Sequence, residues 1–391
     1  MRRLKIVMLG TMGLLPFGGH VWVHLNWLRG FHGLGHEIWY VEDHGSWPFN
    51  PEQNAYTDDC SYALRQLRTW LSEIDLDRRW AFRHPGKEGY CAGMSPEHLK
   101  ELYRSCDILI NMAGATELND EQLAAPLRVL LHTDPGAPEI RIANGDPFTT
   151  AMFEHHQFIL TCAENYLGPD CRVPLNGLDA KYRSIRQAVD LTLWDSKFSP
   201  TAEYFTTVGN YKQTGNDVRY DGETYFWSKH HEWDKFIDLP QRTQQRFQVA
   251  LRVDSPEDRR RLESLSWKIV PPLPMSYDIF GAYRGFIFAS RAEWTVAKDQ
   301  YVRLRSGWFS DRDATYLASG KPVIAQATGF ENHISTGRGL FHFHTMEDIL
   351  TAIESINADY LLHCKAAREV AVEYFDATKM AASFINNVGA A

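Results

Sequence analysis

The chain has 391 residues, 44% hydrophobic and 23% charged, and its 41 basic against 49 acidic residues leave a formal charge of −8. This is an ordinary globular composition, and at ~150 residues per domain the length predicts two domains. A net acidic chain lacks the basic footprint of a nucleic-acid binder, and no apolar run approaches the ~18 residues of a membrane-spanning helix.

The chain opens with LKIVMLG (4–10), an apolar run suited to a buried parallel strand. Lys5 interrupts it and no small-residue cleavage site follows, so no secretory signal is read and a cytoplasmic location is expected. After the glycine-rich TMGLLPFGG (11–19), Val21, Leu25, Leu28 and Phe31 recur at spacings of three and four, which predicts a helix with one apolar face. EIWYVED (37–43) completes a β–loop–α–β unit. Helices are expected over 52–74 and 96–104, and strands in CDILINMAG (106–114), PLRVLLHTDPG (126–136) and HHQFILTCAEN (155–165). Gly168, Pro169, Pro174 and Gly177 mark a hinge at 167–178, overlapping a linker drawn over 171–188. The second half restarts with strands at 202–209, 247–251, 267–270, 285–290 and 321–326. Helical patterns lie between them at 230–238, 255–265, 312–319 and 345–356, and 357–388 reads as helix with a break near Asp376. Such alternation predicts an α/β chain of two Rossmann-like parallel-sheet domains, 1–170 and 189–375. Six cysteines without a C-x-x-C pair read as buried thiols.

In open α/β sheets ligands bind beyond the carboxyl ends of the strands. There the backbone amides of Gly18 and Gly19, with the helix start behind them, suit an anion such as a diphosphate. Gly10, Gly13, Gly18 and Gly19 do not spell G-x-G-x-x-G, so a dinucleotide site with Glu42 or Asp43 on the ribose is disfavoured. His20 either exchanges a proton with an acceptor hydroxyl or hydrogen-bonds only within its helix start. Asp134, turned by Pro135 and Gly136, either faces the cleft or shapes the turn. The densest polar stretch is 290–330. Lys298, Arg303 and Arg305 precede Ser306 and Gly307, a cationic loop suited to a diphosphate leaving group. Asp311 and Asp313 then open a helix whose N-terminus their carboxylates favour.

The stretch SGWFSDRDATYLASGKPVIAQATGF (306–330) resembles the donor-binding segment of GT-B-fold glycosyltransferases, and GGHVWVHLNWLRGFHGLGHEIWYVED (18–43) resembles their first unit. The resemblance implies a cleft between the two domains, with donor on the second, acceptor on the first, and a terminal helix (376–391) crossing back. It implies that Gly18 and Gly19 approach the donor diphosphate, that His20 is catalytic or orients the acceptor, and that Lys298 and Arg303 neutralise the leaving nucleoside diphosphate. Arg305 and Ser306 stand beside them in the donor loop. Retaining members carry glutamates where this chain has Gly307 and Thr315, so the ribose contact passes to Asp311, Asp313 or Thr315 and the stereochemistry stays open. Asp134 is the second catalytic candidate. The expected function is transfer of a sugar from a nucleotide-diphosphate sugar to an unidentified acceptor, with no resident cofactor and no metal. Asp311-Arg312-Asp313 opens a helix beside cations, whereas a metal-binding D-x-D follows a strand. A nucleotide-sugar epimerase of the same architecture and a non-catalytic nucleotide-sugar-binding protein are the alternatives.

Overall fold

Apolar runs covered on both faces become parallel strands, and the first strand, Lys5–Leu9, is buried from Ile6 to Leu9. The structure, a computed structural model, describes residues 2–390. Lys5–Leu9 pairs in parallel with Glu37–Glu42 on one side and Ile108–Met112 on the other. The first sheet continues past Ile108–Met112 through Arg128–His132, Phe158–Thr161 and Tyr182–Ser184. On the other side it continues through Trp80–Arg83 to a short antiparallel edge, Cys91–Ala92. The second sheet runs Lys268–Ile269, Arg246–Arg252, Tyr204–Asn210, Ala292–Thr295, Val323–Gln326 and Leu340–Phe343, all parallel. In both sheets the earliest long strand is central and later strands add on either side. Each sheet therefore has one point where strand order reverses, and a crevice opens there at the carboxyl edge.

Several elements differ from the sequence reading, each for a local reason. Residues 285–290, expected as a strand, belong to the helix Arg284–Ala289, and the true strand is the fully buried Ala292–Thr295 that follows. The Asp278 carboxylate accepts from the amides of Gly281 and Ala282, which starts a helical run upstream of the apolar stretch. The helix expected from residue 52 begins at Ser61, because Phe49–Asn50 and Ala55–Tyr56 pair as a small hairpin first.

The expected linker is also built differently. Tyr182–Ser184 is an edge strand of the first sheet, and residues 165–172 are fastened to the second domain rather than free to swing. The Asn165 side-chain amide donates to the Arg305 carbonyl at 2.7 Å, the Arg172 amide to the Leu304 carbonyl at 2.8 Å, and Arg305 pairs with Asp170 at 2.8 Å. The chain crosses between domains at Val189 and returns at Asp376, and the two crossings touch: the Val189 amide donates to the Phe375 carbonyl and the Ala377 amide to the Val189 carbonyl. Beyond the return, Ala377–Asn387 packs on the first domain's helix Gly18–Gly33, with Phe384 against Trp27 and Phe31. Gly30 permits this, since a Cβ there would lie 2.3 Å from the Ala377 carbonyl oxygen.

A second bridge is a strap. The hairpin Val218–Tyr220/Glu223–Tyr225 leaves the second domain after its first strand, and its Val218 and Tyr225 are buried in a cluster with Leu130, Ala137 and Ile140 of the first. Asn144 donates to the Arg219 carbonyl at 2.8 Å, and Gln300 donates to the carbonyls of Asn216 and Tyr225.

Candidate functional site

The two crevices face each other and merge into a cleft of about 470 Å³. Its first wall is the loop after Lys5–Leu9 and the start of the helix Gly18–Gly33. Glu42 pins that loop: it is fully buried and accepts from the amides of Gly13 and Leu14 and from the Tyr40 hydroxyl. Its carboxylate is thus spent on the backbone, and the ribose-binding role weighed for it is not open. Gly18 lies where Tyr283 packs, since a Cβ would come within 2.5 Å of the ring. Phe17, at the N-cap, offers no side-chain cap, and the amides of Gly18, Gly19 and His20 have no acceptor among the described residues. Free amides at the positive end of a helix dipole favour an anion.

His20 follows in the same turn. Its Nε2 lies 2.9 Å from the Thr11 hydroxyl and 3.1 Å from the Thr11 carbonyl oxygen. The hydroxyl can donate or accept but the carbonyl only accepts, so the tautomer with the proton on Nε2 suits both contacts and leaves Nδ1 as the basic nitrogen. Burial lowers its pKa, so the imidazole is neutral at pH 7. His24, edge-on beneath it, is driven down to about 3 by burial and by His20, and it donates from Nδ1 to the His20 carbonyl at 2.8 Å.

The opposite wall is cationic. Lys298 begins the helix Asp299–Leu304 and reaches Asp134 of the first domain at 2.9 Å, with its ammonium 2.9 Å from the centre of the Trp227 ring. Burial brings its pKa down to about 8 even with Asp134 opposing. Lys229 makes no hydrogen bond or ion pair among the described residues, and burial, with Arg312 nearby, brings it down to about 7. Arg312 lies against buried Glu293, 2.7 Å from the Thr295 hydroxyl and 3.0 Å from Asp313, and it lines the cleft. Burial pushes the carboxyls of Glu293 and Asp313 upward, while the guanidinium between them pulls the other way and is itself held firmly charged. Two further cleft-lining groups, the Tyr301 hydroxyl and the Gln187 carbonyl oxygen, are buried without a partner. Such orphans cost about 1–3 kcal/mol each.

No protein-family model and no curated sequence matches the chain. Its fold is nevertheless shared. A glycosyltransferase from Rickettsia africae superposes with a TM-score of 0.56 at 12% identity, over 99% of this chain and 98% of its own. HepE of Anabaena, in complex with UDP and glucose, gives 0.57 at 13% identity over 100% of both chains. The sucrose-phosphate synthase of Thermosynechococcus elongatus gives 0.53 at 14% identity over 98% of both. The chain has the GT-B fold.

Of the residues singled out by sequence, the GT-B cleft gathers Gly18, Gly19, His20, Asp134, Lys298 and Asp311. Asp311 is pushed up to about 6 by burial. The others lie elsewhere. Arg303 is spent on the strap, donating to the Thr224 carbonyl and pairing with Glu223 and Asp299. It sits five residues after Lys298, about 140° round the helix, and so cannot face the same cavity. Arg305 pairs with Asp170 and Glu331, and Ser306 is fully buried, its hydroxyl accepting from the Trp308 amide. The Gly307 amide is taken by the Thr328 carbonyl. Asp313 turns inward to Arg312, and the buried Thr315 donates to the Arg312 carbonyl. Among the described residues no three His, Cys, Asp or Glu side chains converge as metal ligands. No helix there is long and apolar enough to cross a membrane.

The sequence reading missed Lys229, Arg312, Arg252 and Tyr301. Arg252 was within reach, since it ends the strand Arg246–Arg252 at the carboxyl edge. Lys229 carries no local pattern; it lies beside the cleft residue Trp308, its ammonium 5.8 Å from the ring centre.

Proposed function

We propose that the chain transfers a sugar from a nucleoside-diphosphate sugar, held by the second domain, to a hydroxyl acceptor held by the first. One observation carries the reading: Lys298 and Arg312 line a cleft whose other wall is a helix N-terminus with unfilled amides, and Lys229, desolvated and without a carboxylate partner among the described residues, lies beside the cleft residue Trp308. Desolvated ammonium groups short of anions are poised for a diphosphate, whose charge grows as it leaves. That HepE, of the same fold, is described in complex with UDP and glucose supports the assignment.

In this mechanism the diphosphate displaces Asp134 as the partner of Lys298. The acceptor oxygen attacks the anomeric carbon, the bond from that carbon to the phosphate oxygen breaks, and the nucleoside diphosphate leaves with the electron pair. The acceptor proton passes to Asp134, the carboxylate released by the exchange. His20, neutral with Nδ1 free, accepts a hydrogen bond from the reacting sugars. Arginine and lysine charge does the work of neutralising the leaving group.

The test is a thermal-shift screen of UDP, GDP, TDP and ADP, followed by turnover of the matching sugar nucleotides. A ligand at ~100 times its dissociation constant adds about 2.7 kcal/mol of apparent stability. At least one nucleoside diphosphate is expected to stabilise the parent, and His20→Ala, which removes a hydrogen bond to the reacting sugars, to lower turnover while leaving that shift intact. No shift with any nucleoside diphosphate rejects the assignment.

A further inference from the structure

A second cavity of about 220 Å³ opens beside the donor cleft, and Asp134 lines both. Ala113, His132, Ala137 and Arg141 of the first domain form its floor, and Asn216 and Trp227 of the strap close it. Neither domain makes the cavity alone. Pockets for drug-sized ligands run to roughly 300–1,000 Å³, so this one takes a single ring.

Its electrostatics differ from those of Arg303, Arg305 and Arg312, which are each paired with carboxylates. Arg141 hydrogen-bonds to the neutral side-chain oxygen of Asn216, and among the described residues no carboxylate stands within 4 Å of it. His132, on the floor, is fixed from behind: its Nε2 lies 2.8 Å from Glu139, which also accepts from the Gly136 amide and the Tyr182 hydroxyl. Burial works to raise the Glu139 carboxyl, but the His132 interaction and these hydrogen bonds outweigh it and hold the group below its ordinary range. The other ring nitrogen of His132, Nδ1, has no hydrogen bond among the described residues. The cavity thus offers an uncompensated cation on one wall, a free imidazole nitrogen on its floor and a carboxylate where it meets the donor cleft.

We propose that this cavity is the acceptor site and that the acceptor is a single-ring molecule bearing a carboxylate or phosphate, with Arg141 holding the anion and Asp134 the reacting hydroxyl. The proposal rests on the transferase reading above and adds the acceptor's class to it. Asp134 repels an anion at its own end, so the two charges orient the ring: anion to Arg141, hydroxyl to the donor.

The test measures binding of glucuronic acid, glucose 6-phosphate and glucose, each with UDP saturating, to the parent, Arg141→Gln and Arg141→Lys. In the parent at least one anionic sugar is expected to bind ten or more times tighter than glucose. Arg141→Gln brings that ratio to within twofold, Arg141→Lys restores part of it, and UDP affinity stays the same in both. A purely structural Arg141 would lower the melting temperature and leave the ratio alone. Equal binding of the three sugars by the parent, or a ratio that survives Arg141→Gln, overturns the proposal. A parent that binds neither UDP nor any other nucleoside diphosphate fails the transferase reading instead, and the two failures are thereby told apart.

Discussion

Between Lys298 and Arg312 the chain carries four cations, and the fold treats them in two ways. Arg303 and Arg305 are bound by carboxylates on the strap and on the 165–172 loop, where they join one domain to the other. Lys298 and Arg312 line a cleft in which burial has stripped away solvent, and a further lysine from the strap, Lys229, adds a third charge nearby. The first pair is structural charge already neutralised, and Arg312 too is held between Glu293 and Asp313; the two lysines are the charges left short of anions. Density of positive charge in a sequence therefore does not locate a phosphate site. What locates it is a cation that has lost water without gaining enough carboxylate to compensate.

Four experiments break or sharpen this contrast. Arg312→Ala has the largest expected effect, because it leaves Glu293 and Asp313 buried with no cation between them. A loss of about 3–5 kcal/mol in chemical denaturation is expected. A variant as stable as the parent would mean that both carboxyls are neutral and Arg312 is not their counter-ion. Next comes Lys298→Ala, which removes a charge-assisted bond worth ~1.5–3 kcal/mol, so nucleoside-diphosphate affinity by calorimetry should fall about 10- to 150-fold. Arg303→Ala should leave that affinity within twofold, and equal losses in the two variants would erase the contrast.

The third is a pH series. Burial brings Lys229 down to about 7 and Lys298 down to about 8, and in the proposed function both meet the diphosphate charged. Affinity is therefore highest below these values and falls as pH rises through them, by up to about tenfold per unit for each proton taken up on binding. Lys229→Gln should flatten the lower part of the curve, and a parent profile that is level from roughly pH 6.5 to 9 would remove the lysines from the site. The smallest effect belongs to Arg303→Ala measured as stability. Its pair with Glu223 is largely exposed, and a loss below about 1 kcal/mol is expected in the same denaturation assay.

The sequence made the architecture legible because its signals were local. The apolar run at 4–10, the helical spacing of Val21, Leu25, Leu28 and Phe31, and the Ser319-Gly320-Lys321-Pro322 turn all specify their own conformation. The carboxyl-edge rule found His20 and Asp134, since each follows a strand or its loop, and Lys298 was found by the polar density of 290–330. It did not separate Lys298 from Arg303, because which way a helix faces is settled by what it packs against. Trp227 meets Lys298 and Lys229 meets Trp308 only because the strap folds back over them, contacts between positions about seventy to eighty residues apart that no short pattern encodes. The strand at 292–295 was missed for a related reason: two apolar runs lie in tandem, and the Asp278 cap decides which becomes helix.

The touching crossings at Val189 and Asp376 have a consequence for how such a molecule can be rebuilt. Because the last helix returns to the first domain, the second domain is topologically a single excursion from it, leaving and re-entering at hydrogen-bonded neighbours. Residues 190–375 can therefore be lifted out as one cassette, and the second domain of another chain of this fold can be spliced in at the same two adjacent points. The strap, which travels with the cassette, would then have to meet an unfamiliar surface near Ala137 and Arg141. Chimaeras of this kind would fail first in acceptor choice, with donor choice passing intact.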